Sequence, residues 1–192
     1  MLQAVPIGVI AVAAVFVTSV PASAAPLAGT PDTLTYVALG DSYAAGQGGG
    51  NYLNSCLQSP AGYPALLDAE PKIKLVSNLA CSGATTADVI AQAQKVPRGT
   101  KLVTVTVGGN DLQVGAIAGA CLLQADPAAC VALIGQANYL LENDILLDSL
   151  LETYRAIAAA APKAQIVVTL YPTLFPLSTS DPREAEINAS TL

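Results

Sequence analysis

Short apolar runs, each closed by glycine or a polar turn, recur along the chain with enough residues between them for a helix. Leu34–Leu39 (LTYVAL) stops at Gly40, Ile73–Ala80 follows, then Leu102–Val107, and finally Ile166–Tyr171. Runs of this length, rich in β-branched residues, predict buried strands. Leu102–Val107 is rich in Val and Thr without a solvent-facing charged alternation, which suits a central strand of a parallel sheet covered on both faces. Between the first two runs, the Gly/Asn/Ser-rich stretch from Gly46 to Ser59 reads as loop and Ala61–Ala69 as a short helix with Pro64 near its start. Thr85 with Asp88 three positions on resembles a capping box that opens a helix toward Lys95, stopped by Pro97 and Gly99.

Beyond the third run the pattern weakens, and Leu112–Asn138 predicts a small helical insertion. A clearer helix follows, with Leu140, Leu147, Leu151, Tyr154 and Ala158 on one face and Asp148, Glu152 and Arg155 turned away from it, ended by Pro162. After Pro172 the chain reads as a loop running into an acidic helix start before Leu192. Strand and helix alternating in this way imply an α/β layer structure with right-handed crossovers. The turns after the strands then gather at the carboxyl edge of the sheet, where open parallel sheets place ligands.

Composition narrows the class. With 53% hydrophobic and 11% charged residues, 192 residues suffice for one packed domain. The net charge of −6, with no Lys or Arg before Lys72, excludes a phosphate-binding surface and hence a nucleic-acid partner. Residues 1–24 carry no charge, hold an apolar run from Val5 to Val17 and end in Ala22-Ser23-Ala24, the pattern of a cleaved secretory signal. Residues 25–32 read as a linker and 33–192 as the folded domain, with no stable membrane span once the signal is removed. An uncleaved anchor is the alternative, since the usual Lys or Arg near Met1 is missing.

Four cysteines suit an exported, oxidising setting. They allow three pairings, of which sequence proximity favours Cys56–Cys81 and Cys121–Cys130. No metal site is expected, because there is no CxxC spacing and no histidine.

Three of the turns carry chemistry. Gly40-Asp41-Ser42 places a hydroxyl just past a glycine turn, Cys81-Ser82-Gly83 offers a backbone N–H that a substrate can approach closely, and Gly108-Gly109-Asn110-Asp111 offers a side-chain amide. A nucleophile and several donors converging on one oxygen are what acyl transfer needs. Asp41 and Asp111 adjoin these turns, and an Asp in that position more often caps backbone N–H groups than acts as an acid. Gly46–Gly50 is glycine-rich but has neither the lysine nor the spacing of a phosphate loop, and reads as a lip to the crevice.

With the three blocks in order, the sequence resembles the SGNH hydrolase (GDSL lipase/esterase) superfamily, and among its members the secreted bacterial type, over roughly Thr33 to Pro172. The resemblance implies a flavodoxin-like three-layer α/β/α fold with strand order 2-1-3-4-5. It makes Ser42 the catalytic nucleophile and assigns the oxyanion hole to the Ser42 N–H, the Gly83 N–H and the Asn110 amide. It implies no cofactor, a small-molecule or lipid ester as substrate, and a monomer acting outside the cell. The superfamily's fourth element, an Asp-x-x-His block supplying the base, has no counterpart here, since the 192 residues contain no histidine. The expectation is therefore a fold missing its last strand and helix elements, a gene fragment that is nearly inactive by itself, with the apolar edge of its fourth strand exposed. A secreted pseudo-hydrolase that binds acyl or glycan ligands without turning them over is the alternative reading.

Overall fold

The computed structural model describes residues 33–123 and 126–172. The expected signal segment, the linker up to Asp32, and the loop and acidic helix start after Pro172 lie outside these residues.

Four parallel strands form one sheet in the order β2-β1-β3-β4: β1 (Leu34–Gly40), β2 (Ile73–Asn78), β3 (Leu102–Thr106) and β4 (Gln165–Val168). This is the order the family resemblance implies, as far as the fourth strand. β1 and β3 sit in the middle, and β3 is buried at all of its residues. The Val/Thr alternation of β3 follows from that position, since branched side chains pack well on a covered pleated surface. Each buried threonine hydroxyl on it has a partner: Thr104 meets Tyr36 Oη at 2.7 Å and Tyr63 Oη at 3.1 Å, and Thr106 meets Thr169.

Side chains alternate across the sheet and define the layers. From β1, Val37 and Leu39 join Val103 and Val105 of β3 against Val89 and Ala93 of α3 (Thr86–Ala93) and Ile157 of α6 (Ile145–Ala160). Tyr36, Ala38 and Leu102 face the other way, toward Leu67 of α2 (Tyr63–Asp68). Full burial of one such side chain contributes about 1.5–3 kcal/mol, so these two clusters hold the sheet between its helices. The short α1 (Ser42–Ala45) lies directly after β1.

The insertion after β3 is helical, as its composition suggests. It comprises α4 (Val114–Ala118), a π-helical turn over Gly119–Leu123, and α5 (Pro127–Glu142). It builds a core of its own from Leu112, Ile117, Ala120 and Ala137, closed by the Cys121–Cys130 disulfide and by Leu146 of α6.

One expectation is corrected. The helix assumed to run on from Leu140 is interrupted at Asn143-Asp144, where Asp144 takes φ 58°, and its buried face is rotated from the predicted one. Leu146, Thr153 and Ile157 are buried, while Leu147 and Leu151 are 51% and 39% exposed. In a segment as apolar as ILLDSLLETYRAIAAA two adjacent faces look equally hydrophobic, so periodicity does not choose between them. Thr153 can be buried because its hydroxyl bonds the Ser149 carbonyl at 2.8 Å.

β4 is the edge of the sheet among the described residues, and Val168 and, just past its end, Leu170 are 44% and 80% exposed. No described helix is long and apolar enough to cross a membrane.

Candidate active site

The first block begins at a close approach of two strands. Gly40 has φ 125°, and a Cβ there would stand 2.3 Å from the Thr106 carbonyl oxygen and 2.8 Å from its nitrogen. No other residue fits, because the contact is with backbone and the left-handed region favours glycine. Gly40 is also clamped from α3, whose Gln92 accepts the Gly40 N–H at 2.8 Å and donates to the Gly40 carbonyl at 2.9 Å. Past this point the chain leaves the sheet. The Asp41 N–H reaches the Thr106 carbonyl at 3.0 Å, and Asp41 caps α1 by accepting the Tyr43 N–H at 3.0 Å. Ser42 is therefore the first residue of a short helix at the carboxyl edge of the sheet, and it is half-buried.

The second block is pinned to the first. Cys81 donates its N–H to the Gly40 carbonyl at 3.0 Å, and the Ser82 N–H reaches the Cys56 carbonyl at 3.0 Å beside the Cys56–Cys81 disulfide. Gly83 follows in an exposed turn at φ 84°, with open space where a Cβ would stand. Ser82 hydrogen-bonds Gln47 of the glycine-rich loop.

The third block ends β3. Asn110 directs its amide nitrogen to the Ala84 carbonyl at 2.9 Å, so it lies next to the Gly83 turn and keeps its second amide hydrogen for another acceptor. Asp111 accepts the Thr86 N–H and, at 2.6 Å, the Thr86 hydroxyl, which anchors the start of α3. Thr85 and Asp88 make the capping contact read from their spacing, the Thr85 N–H meeting the Asp88 carboxylate at 2.9 Å. That bond, together with the Thr85 hydroxyl, holds the Asp88 carboxyl below its ordinary range.

Ser42 and Asn110 line one cavity of about 460 Å³, together with Asp41, Tyr43 and Tyr171. Its remaining walls are mostly apolar and come from the end of β3, from α4, from α6 and from the end of β4. Gly83 is not among its lining residues and is joined to it through Asn110 and Ala84. The volume lies within the range of small-molecule sites.

Two residues at this edge are not singled out by the sequence. Tyr171 donates its hydroxyl to the second carboxylate oxygen of Asp41, accepts the Gly109 N–H at 3.1 Å, and sets its ring edge-on to Tyr43 at 5.0 Å. Gln92 is the other, and its signal is legible in retrospect: it falls three and one positions from Val89 and Ala93, on the apolar face of α3. For Tyr171 the only signal is its place at the carboxyl end of the fourth apolar run.

The electrostatics follow from burial. Asp41 is 1% exposed, and desolvation raises its carboxyl above the ordinary value, against the pull of the Tyr171 hydroxyl and the Tyr43 N–H. Burial, with the adjoining Asp41 carboxylate, drives the Tyr171 phenol upward, so it stays a neutral donor. Both carboxylates next to Ser42 and Asn110 thus have their oxygens engaged in holding backbone and helix starts, as their positions beside glycine turns suggest.

The chain resembles known proteins in both sequence and fold. The family model of the GDSL-like lipase/acylhydrolases matches residues 38–191. A lipase of Streptomyces rimosus is 40% identical over 179 residues, which cover 88% of this chain and 66% of that protein. Lipase 1 of Streptomyces coelicolor is 37% identical over 149 residues, covering 76% of this chain and 55% of that one. The chain therefore spans somewhat less than two thirds of the length of these relatives. Among solved structures, an extracellular lipase from Streptomyces rimosus matches with a TM-score of 0.74 at 39% identity, over 83% of this chain and 71% of its own. A phospholipase A1 from Streptomyces albidoflavus matches with the same score at 34% identity and the same coverage.

Proposed function

Because this chain belongs to the GDSL-like lipase/acylhydrolase family, we propose that it carries the nucleophile and the oxyanion hole of a hydrolase of carboxylic esters. Ser42 Oγ gives up its proton and attacks the ester carbonyl, the ester C–O bond breaks and the protonated alcohol leaves, and water then cleaves the acyl-serine to the free acid and restores the Ser42 hydroxyl. The negative charge that develops on the carbonyl oxygen is met by the Ser42 N–H, the Gly83 N–H and the free hydrogen of the Asn110 amide. One observation carries this reading: Ser42 and Asn110, from the ends of two different strands, open onto the same cavity at the carboxyl edge of a parallel sheet.

The attack needs a base to take the Ser42 proton, and the 192 residues hold no histidine. Asp41 and Asp111 do not replace it, since their oxygens are already engaged and a carboxylate has little driving force to deprotonate an alcohol. A nucleophile site without its base still retains ~10³–10⁴-fold acceleration over water from the oxyanion hole and binding. In this reading the protein acts outside the cell, with residues 1–24 as its signal, 25–32 as linker and 33–192 as the domain. The disulfides Cys56–Cys81 and Cys121–Cys130 support that placement, since such bonds persist in oxidising compartments.

The test compares the 192-residue chain with the same chain joined at its C-terminus to a segment that supplies an Asp-x-x-His block. The short chain is expected to cleave a p-nitrophenyl acyl ester barely above background. The longer one should turn it over and lose that turnover on Ser42→Ala. Brisk hydrolysis by the short chain that survives Ser42→Ala would overturn the assignment.

A further inference from the structure

We infer that Tyr171 is a positioning residue of this site, whose phenol sets the spacing between Ser42 and the Asn110 amide and thereby the rate at which Ser42 is acylated. The inference rests on Ser42 and Asn110 as nucleophile and oxyanion donor. Those two residues follow the ends of β1 and β3, and Tyr171 reaches both from beyond the end of a third strand, β4. Its hydroxyl donates to Asp41, which precedes Ser42, and accepts at 3.1 Å the N–H of Gly109, which precedes Asn110. Its ring meets edge-on, at 5.0 Å, the ring of Tyr43, which follows Ser42. One side chain therefore holds both neighbours of the nucleophile and the residue before the oxyanion donor. The approach is close, for a Cβ on Gly109 would stand 3.1 Å from the Tyr171 ring and 3.3 Å from its hydroxyl oxygen.

The same bonds fix what Tyr171 does not do. Its single proton is spent on Asp41, which leaves none for a substrate oxygen. Burial and the adjoining carboxylate keep the phenol neutral, so it is no base for the Ser42 hydroxyl either. What remains is placement. Oxyanion donors must stand ~2.7–3.1 Å from the developing charge, and a misplacement of ~1 Å can cost ~10²-fold in rate.

The 192-residue protein carries the test, with imidazole in solution as the base that a chain without histidine lacks and a short alkyl fluorophosphonate as probe. Imidazole takes the Ser42 proton, Oγ attacks phosphorus, the P–F bond breaks and fluoride leaves, while the phosphoryl oxygen occupies the place of the oxyanion. Mass spectrometry of the Ser42 peptide gives a maximal labelling rate and a half-saturating probe concentration. Tyr171→Phe, which removes one oxygen, should lower the maximal rate at least about ten-fold and leave the half-saturating concentration within about two-fold. Tyr36→Phe makes the same change on the other face of the sheet, where the hydroxyl meets Thr104 at 2.7 Å, and should label like wild type. Gly109→Ala keeps the phenol but presses on its ring, so it should slow labelling in the same direction. In an Asn110→Ala background Tyr171→Phe should cost much less than in wild type, because one of the two groups it places is gone.

The inference is overturned by Tyr171→Phe and Gly109→Ala proteins that label as fast as wild type, or by a loss that Tyr36→Phe matches. A loss confined to the half-saturating concentration, or one undiminished in Asn110→Ala, overturns it as well. Each of these leaves Ser42 standing as the nucleophile. Wild-type protein that gains no Ser42 label from imidazole refutes the nucleophile itself, and the inference with it.

Discussion

Tyr171, at the end of the fourth strand segment, donates its hydroxyl to Asp41, the residue immediately before the candidate nucleophile, and the same oxygen accepts the Gly109 N–H. One phenol thus joins the first and third motif blocks across the carboxyl edge of the sheet. Replacing it with phenylalanine leaves a buried carboxylate oxygen and a backbone N–H without their partner while changing shape by a single atom. A hydrogen bond to a charged group is worth ~1.5–3 kcal/mol, so Tyr171→Phe should lower the unfolding free energy by about that much. Urea titration reads it as a lower midpoint at an unchanged slope. An unaltered midpoint would show that water replaces the phenol at no cost.

The same pair makes stability depend on pH in a definite direction. Burial raises the Asp41 carboxyl above its value in the unfolded chain. Where the native carboxyl is protonated and the unfolded one is not, the native state holds the extra proton, so stability falls as pH rises. Its contribution is therefore fully present below the unfolded-state value and is lost as pH climbs through the native one. Asp88 has the opposite sign, because its native value is lowered, but it titrates alike in wild type and in Asp41→Asn. The difference between the two proteins isolates Asp41. Wild type should lose stability relative to Asp41→Asn between acid and neutral pH, as followed by urea midpoints across that range. A constant difference would rule out the raised value.

Most of what positions the site was readable from local pattern. The strand positions, the capping contact of Thr85 with Asp88, and the placing of Ser42 and Asn110 at strand ends depend on short runs and turn chemistry, which act over a few residues, whereas the strand order came from the family resemblance. What was not readable depends on long-range packing. Gln92 meets Gly40 from 52 positions away and Tyr171 meets Asp41 from 130 positions away, and no periodicity encodes such pairs. The misread face of α6 has another cause, for its neighbouring faces are both rich in leucine and only packing against the sheet, α3 and the insertion decides between them.

Gln92 provides a sharper case than Tyr171, because its amide serves both the N–H and the carbonyl of one residue. Gln92→Leu is of similar size and removes the side-chain partner of both the buried Gly40 N–H and the Gly40 carbonyl, although the carbonyl retains the Cys81 N–H. The unpaired Gly40 N–H alone should cost ~1–3 kcal/mol. Gln92→Glu keeps an acceptor for that N–H but puts a carboxyl against the Gly40 carbonyl, so at neutral pH it should be at least as damaging as leucine, and it should recover as pH falls and the carboxyl becomes a donor. Thermal unfolding of the two variants at acid and neutral pH checks this. Equal pH dependence in both would mean that position 92 does not face the Gly40 carbonyl.

The two motif glycines should respond differently to the same added methyl group. At Gly40 the Cβ would overlap the Thr106 backbone, which cannot move without parting β1 from β3. Gly40→Ala should therefore fail to give a stable folded protein. Gly83 also has a positive φ, but its Cβ would meet open space, so Gly83→Ala carries only the left-handed backbone penalty of ~1–2 kcal/mol. It should fold, with a modestly lower midpoint, while the methyl group crowds the approach to the N–H proposed to hold the oxyanion. In a chain joined to a segment that supplies the histidine base, Gly83→Ala should lower kcat/KM well beyond what its stability loss explains, since one oxyanion donor is worth roughly 10²–10³ in rate. Full activity in a folded Gly83→Ala protein would remove Gly83 from the oxyanion hole and leave Ser42 and Asn110, the two residues that share the cavity, as its donors.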